Sequence, residues 1–93
     1  MIIKDGNFTK SGKVQVSSQA INEFIKNPLM AKRFFEKLII LKCEYDPFNG
    51  SYTYFCYSHY FQWKERGKEP PIYEAIVKII ENDYEIKFKK IKV

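Results

Sequence analysis

The order of elements in this 93-residue chain predicts a single small α+β domain over residues 1–93. The expected architecture is an antiparallel sheet with helices on one face, in the ferredoxin-like order β-α-β-β-α-β. Three observations predict it. Apolar residues recur at helical spacing over 18–37 and again over 71–82. Two β-rich runs flank Asn49-Gly50, the strongest short-range hairpin signal. Tyr84 to Phe88 then alternates cleanly, as a half-buried final strand does. Another small α+β two-layer fold, with the N-terminal strand paired differently, has the same element order and is the alternative.

Met1 to Lys4 reads as a short strand, and Asp5-Gly6 and Ser11-Gly12 are turn signals. Lys13-Val14-Gln15-Val16 alternates polar and apolar, which predicts a half-buried strand. Ser17 or Ser18 offers a hydroxyl to the free N–H groups of a following helix. Ala20, Ile21, Phe24 and Ile25 then mark a helical stripe over 18–26. Asn27-Pro28 splits this first helix: Asn27 suits an N-cap, and proline tolerates the first helical position, where its missing N–H is not needed. Met30, Ala31, Phe34, Phe35 and Leu38 continue the stripe in a second segment over 28–37.

Residues 38–46 and 51–61 read as the two arms of a hairpin. With a two-residue Asn49-Gly50 turn, Cys43 faces Cys56, Glu44 faces Phe55 and Lys42 faces Tyr57. A four-residue turn changes these partners and keeps the faces, because strand side chains have period 2. One face carries Ile39, Leu41, Cys43, Tyr45, Tyr54, Cys56, Ser58 and Tyr60. The other carries Leu38, Ile40, Lys42, Glu44, Phe55, Tyr57, His59 and Phe61, and Lys42 and Glu44 mark it as the wetter one. Residues 62–70 are polar and form a loop. Pro70-Pro71 opens a helix whose face is Tyr73, Ile76, Val77 and Ile80, closed by Asn82 or Asp83. Lys89-Lys90 breaks the phase of the last strand, as a bulge or a strand end would.

Composition narrows the function classes. Aromatics make up 17% and the formal charge is +5, with few Gly and Pro, which excludes disordered and collagen-like chains. The longest strictly aliphatic run, Leu38 to Leu41, is far short of the roughly 20 residues of a membrane span. The first residues lack the pattern of a signal peptide, so a cytoplasmic protein that needs no membrane is expected. The cations are 14 Lys and only 2 Arg, Arg33 and Arg66. Arginine is the residue preferred for bidentate phosphate and base recognition, so its scarcity counts against nucleic acid.

Catalytic signatures are sparse. Cys43, Cys56 and the single histidine, His59, cannot make a four-ligand zinc site, and the expectation is no metal and no cofactor. The cysteines read as buried free thiols. Cys56 and His59 lie three apart on one strand and point to opposite faces, which disfavours a nucleophile–base pair. Lys42, Tyr57 and His59 share a face and could carry acid–base work, as in a small endoribonuclease using His59.

The aromatic strand and the Trp63 loop hold the binding candidates: Lys42, Phe55, Tyr57, His59, Trp63, Lys64, Arg66 and Lys68. Interface cores favour Tyr, Trp and Phe, and hot spots favour Trp, Tyr and Arg. The same rings could instead be cross-strand pairs that stabilise the sheet, and Trp63 could fold back over its edge. The expected function is non-catalytic binding of a cellular protein. Its most specific form is a viral or mobile-element accessory protein that inhibits a host protein complex in the host cytoplasm. RNA or single-stranded nucleic-acid binding is the alternative, since open sheets with central aromatics stack bases. Here Tyr52 to Tyr57 lacks the basic-Gly-aromatic opening of that pattern. A homodimer through the sheet face is a further expectation.

Overall fold

Alternation of Val14 and Val16 with Lys13 and Gln15 fixes which way the central strand faces, and the rest of the sheet assembles around it. The computed structural model describes residues 3–4 and 8–92. Met1, Ile2, the Asp5-Gly6 turn signal and Val93 lie outside these. The elements are β1 (Ile3–Lys4), β2 (Phe8–Thr9), β3 (Ser11–Ser17), α1 (Ser18–Lys26), α2 (Pro28–Phe35), β4 (Ile39–Asp46), β5 (Ser51–Tyr57), β6 (Lys64–Glu65), β7 (Ile72–Ile80) and β8 (Asp83–Lys92). Five strands form one sheet in the order β4-β5-β3-β7-β8. β3 runs antiparallel to β5 and parallel to β7. The short strands β1, β2 and β6 form a second, three-stranded sheet. The domain is therefore α+β, with a mixed sheet and two helices.

The N-terminal half follows the sequence closely. Ser17 caps α1, its Oγ accepting from the Ala20 N–H at 3.1 Å. Pro28 stands at the start of α2, as expected. Asn27 makes no side-chain bond to α2; its Nδ2 donates instead to the Glu23 carbonyl, finishing α1. Both helices lie on the face of the sheet that carries Val14, Val16, Tyr54 and Phe88. Phe34, fully buried, packs against Phe24 (ring centroids 5.1 Å), Phe35 (4.8 Å), Phe88 (5.9 Å) and Tyr54 (6.4 Å). Around it the core is closed by Leu38, Cys56, Phe61, Tyr73 and Ile86.

The largest departure from expectation is at 71–82, where a strand replaces the second helix. Tyr73, Ile76, Val77 and Ile80 fit a helical face, but β7 alternates: Tyr73, Ala75 and Val77 pair with Lys90, Phe88 and Ile86 on the helix side. The segment is dense in β-branched residues, which lose rotamer freedom in a helix and pack well on a pleated sheet. Both helices thus lie between β3 and β4, and the sheet is mixed rather than antiparallel. The turn joining β7 to β8 is Glu81-Asn82. Glu81 takes φ 53°, a left-handed conformation in which hairpins usually place glycine. A bulge at Ile91, where Ile72 pairs with Lys92 and Tyr73 with Lys90, accounts for the phase break near Lys89-Lys90.

The hairpin also differs in detail. Its loop has four residues, with Asp46 opposite Ser51, Lys42 opposite Phe55 and Cys43 opposite Tyr54 rather than Cys56. Asp46 Oδ1 accepts from the Phe48 N–H at 2.9 Å, and Gly50 supplies φ 61°. A bulge between Ile40 and Lys42 reverses the faces expected for Ile39 and Ile40. Ser11-Gly12 is not a turn but part of β3, which makes β3 the central strand and β5 its neighbour. β5 ends at Tyr57, not at residue 61, and Ser58 begins a turn in which Phe61 swings into the core. There Phe61 stacks on Tyr73, with centroids 4.2 Å apart and an interplanar angle of 11°.

Two interactions fix the frame and can be tested. A Cβ at Gly12 would meet the Tyr73 ring at 2.8 Å and the Phe61 ring at 3.2 Å, and both rings are buried. Gly12→Ala is expected to lower the unfolding free energy by about 1–3 kcal/mol in urea titrations, the usual cost of overpacking. Arg33 on α2 grips Asp83 beyond the β7–β8 turn with two bonds, Nε to Oδ1 at 2.9 Å and Nη2 to Oδ2 at 3.1 Å. The Arg33 hydrogen bond, helped by the Tyr84 N–H, holds the Asp83 carboxyl below its ordinary value. A depressed carboxyl contributes stability above its ordinary value and loses it as pH falls through the lower native one. The urea midpoint should therefore be higher for the native chain than for Asp83→Asn at pH 7, and the gap should shrink as pH falls below the ordinary carboxylate range.

Candidate functional site

Two helices cover one face of the five-stranded sheet and leave the other without a helix. The period of β5 puts Phe55 and Tyr57 on that open face, while Tyr54 and Cys56 turn to the core. Phe55 is flanked across both ladders, by Lys42 on β4 and Lys13 on β3. Their ammonium groups lie 4.6 Å and 5.6 Å from its ring centroid. Such cation–ring contacts hold a partly exposed ring in place. Neither lysine is an uncompensated charge: Lys13 pairs with Glu69, and Lys42 with Glu44 at 2.9 Å.

Beside Phe55 and Tyr57 the open face is walled by the 62–70 loop, making a cleft of about 340 Å³. Leu41, Phe55, Tyr57, Arg66 and Pro70 line it, together with Thr9 and Ser11, joined hydroxyl to hydroxyl at 2.9 Å. Contacts along its length hold the loop in shape. The Tyr73 hydroxyl accepts from the Gln62 N–H at 2.9 Å, tying the loop to the Phe61–Tyr73 stack. β6 pairs with β2, Lys64 opposite Thr9. The turn from Glu65 to Lys68 closes by the Lys68 N–H on the Glu65 carbonyl, with Gly67 at φ 84° as a type II turn requires. Lys64 Nζ donates to the Glu65 and Lys68 carbonyls at 3.0 and 2.8 Å, so this ammonium serves the loop itself.

Of the eight residues singled out from sequence, four line this cleft: Phe55, Tyr57, Lys64 and Arg66. Lys42 sits over Phe55 at its edge. Trp63 and Lys68 line an adjoining recess of about 270 Å³ with Glu69, Pro71 and Lys90. Trp63 keeps 40% of its surface exposed, with Lys10 Nζ 5.2 Å from its ring. His59 lines neither hollow. It lies in the turn after β5, where its carbonyl accepts from Lys10 Nζ at 3.1 Å. Lys42, Tyr57 and His59 therefore do not share one strand face. Thr9, Ser11, Lys13 and Pro70 were not singled out from sequence. For Lys13 the alternation of β3 was a usable signal; Thr9 depends on a two-residue strand with no periodicity to read.

The two cysteines differ in environment. Cys56 is buried, and loss of water pushes its thiol up to about 12. Cys43, expected to be buried, is exposed on β4. Among the described residues no group of three His, Cys, Asp or Glu is placed to hold a metal ion, and no helix is long and apolar enough to cross a membrane. Comparison with known proteins finds no matching family model, curated protein or solved structure. In native protein at pH 8 a disulfide-exchange reagent should titrate Cys43 rapidly. Cys56 should react only after denaturant is added, as reactivity requires an accessible thiolate. Fast titration of both thiols would mean that the β5–β3 ladder opens readily.

Proposed function

We propose that the chain is a non-catalytic protein-binding domain that takes its partner on the open sheet face, against Phe55, Tyr57 and the 63–68 loop. The supporting observation is the make-up of the cleft. It sets the rings of Phe55 and Tyr57 on the sheet and Arg66 on the adjoining loop, beside Lys13 and Lys42, whose charges are matched by Glu69 and Glu44. Rings and arginine are the groups that carry protein–protein affinity. Nucleic-acid affinity, by contrast, draws on unpaired cations that displace counterions from phosphate. The more specific reading, an accessory protein of a virus or mobile element that occupies a host complex in the host cytoplasm, draws its support from composition alone. That support is a small, lysine- and isoleucine-rich chain with concentrated aromatics.

Immobilised protein, challenged with cell lysate with and without nuclease treatment, tests the reading. A defined protein partner should be retained, and Tyr57→Ala and Arg66→Ala should each weaken its binding about tenfold or more, as hot-spot truncations do. The thermal unfolding midpoints of these variants should stay near that of the native chain. Unchanged retention by both variants would overturn the proposed site. Recovery of bulk nucleic acid, lost steeply with added salt, would replace it with the nucleic-acid reading. RNA turnover that disappears in His59→Ala would replace it with an endoribonuclease.

A further inference from the structure

We propose that β4 is a self-complementary edge, and that two copies of the chain join there antiparallel, about a two-fold axis through Cys43, to form one continuous sheet. The five-stranded sheet has two open edges, β4 and β8. They are protected very differently. On β8 Lys87 pairs with Glu85, but Lys89 and Lys90 follow side by side with no anion between them, and clustered like charge discourages edge pairing. β4 carries one cation and two anions, Lys42, Glu44 and Asp46, at alternate positions, with Ile39, Leu41 and Tyr45 each more than half exposed. An outward row of backbone N–H and C=O groups with mixed charge and apolar side chains is a template for another strand.

The charge order selects the partner and the register. In a two-fold antiparallel pair, opposed residues share a face, so the axis must pass through a residue and not between two. Centred on Lys42, the two Lys42 side chains oppose each other. Centred on Glu44, the two Glu44 carboxylates do so. Centred on Tyr45, Glu44 meets Asp46 twice. Centred on Leu41, the ladder runs into the bulge between Ile40 and Lys42, and Lys42 meets Ile40. Only centring on Cys43 places Lys42 of each copy against Glu44 of the other, twice, and these pairs stay clear of the bulge at Leu41. Opposite charges directly across a ladder stabilise it and like charges destabilise it. Lys42 and Glu44 now pair along their own strand, both largely exposed, so each is free to turn to the second copy. Leu41 of this edge also lines the cleft and Lys42 sits at its rim, but a dimer joined edge to edge keeps both open faces on the extended sheet.

Sedimentation velocity over a concentration series, with charge variants, tests the proposal. The native chain should dimerise reversibly. Glu44→Lys, which sets Lys42 against a lysine, should weaken the dimer about tenfold or more. Lys42→Glu should do the same from the other side, and serves should Glu44→Lys fold poorly by circular dichroism. The double exchange Lys42→Glu with Glu44→Lys should restore the dimer, because each opposed pair is again of opposite sign. A register-specific readout comes from Cys43, whose Cα atoms would lie about 5 Å apart across the axis, within disulfide reach. Added diamide, which takes up the two electrons and two protons as the thiols join, should trap a covalent dimer that Cys43→Ser abolishes. A native chain that stays monomeric at high concentration would overturn the proposal. So would a Glu44→Lys chain that dimerises as the native one does.

Discussion

Phe34 is where the two layers of this protein meet, and its position dictates what the rest of the molecule can do. It is fully buried and touches Phe24 and Phe35 within the helices, Tyr54 on β5 and Phe88 on β8. One side chain thereby joins both helices to strands on either side of β3. Edge-to-face packing of this kind adds to the burial of large apolar area. The helices end after 9 and 8 residues, so they can seal only the face that Phe34 contacts. The opposite face has to be built for water, and it is: Lys13, Lys42 and Glu44 stand there around Phe55.

A second clamp positions the functional face. Gly12 leaves room for the Tyr73 ring to lie against β3, Phe61 stacks on that ring, and the Tyr73 hydroxyl accepts the Gln62 N–H. The chain therefore leaves β5 through a fixed turn and enters the 62–70 loop in a defined direction. Arg66 and Pro70 come to wall a cleft whose base is two aromatic residues of a regular strand. Rings on a sheet lose little freedom on binding compared with rings on a mobile loop, which favours recognition by this face.

How much of this could be read in advance varied with the range of the interactions involved. The split at Asn27-Pro28, the Ser17 cap and the Val14/Val16 alternation depend on neighbours within a few residues, and all were legible. So was the partition of Phe55 and Lys42 from Tyr54 and Cys43, because any loop of even length preserves it. The segment 72–80 was misjudged because its apolar residues satisfy both a helical and an alternating pattern. Its hairpin turn, Glu81-Asn82, also lacks the glycine that would have announced it. The parallel pairing of Val14 with Tyr73 chose between the two patterns, and it joins parts of the chain far apart in sequence. Phe61 and His59 were misplaced for a related reason. The strand stops at Tyr57, and beyond it Phe61 turns in to stack on Tyr73, a contact between distant segments.

The sequence alone therefore determined the local elements of the first half, the hairpin, and the fact that aromatic residues concentrate on one strand with cations beside them. Each follows from side-chain period and backbone preference over a handful of residues. Tertiary structure alone decided that the last third forms strands, that Phe61 is core, and that Thr9, Phe55, Tyr57 and Arg66 line one cleft. Those outcomes rest on ladders and ring contacts between distant segments. Their energies enter only once the chain has closed on itself, and no local pattern encodes them.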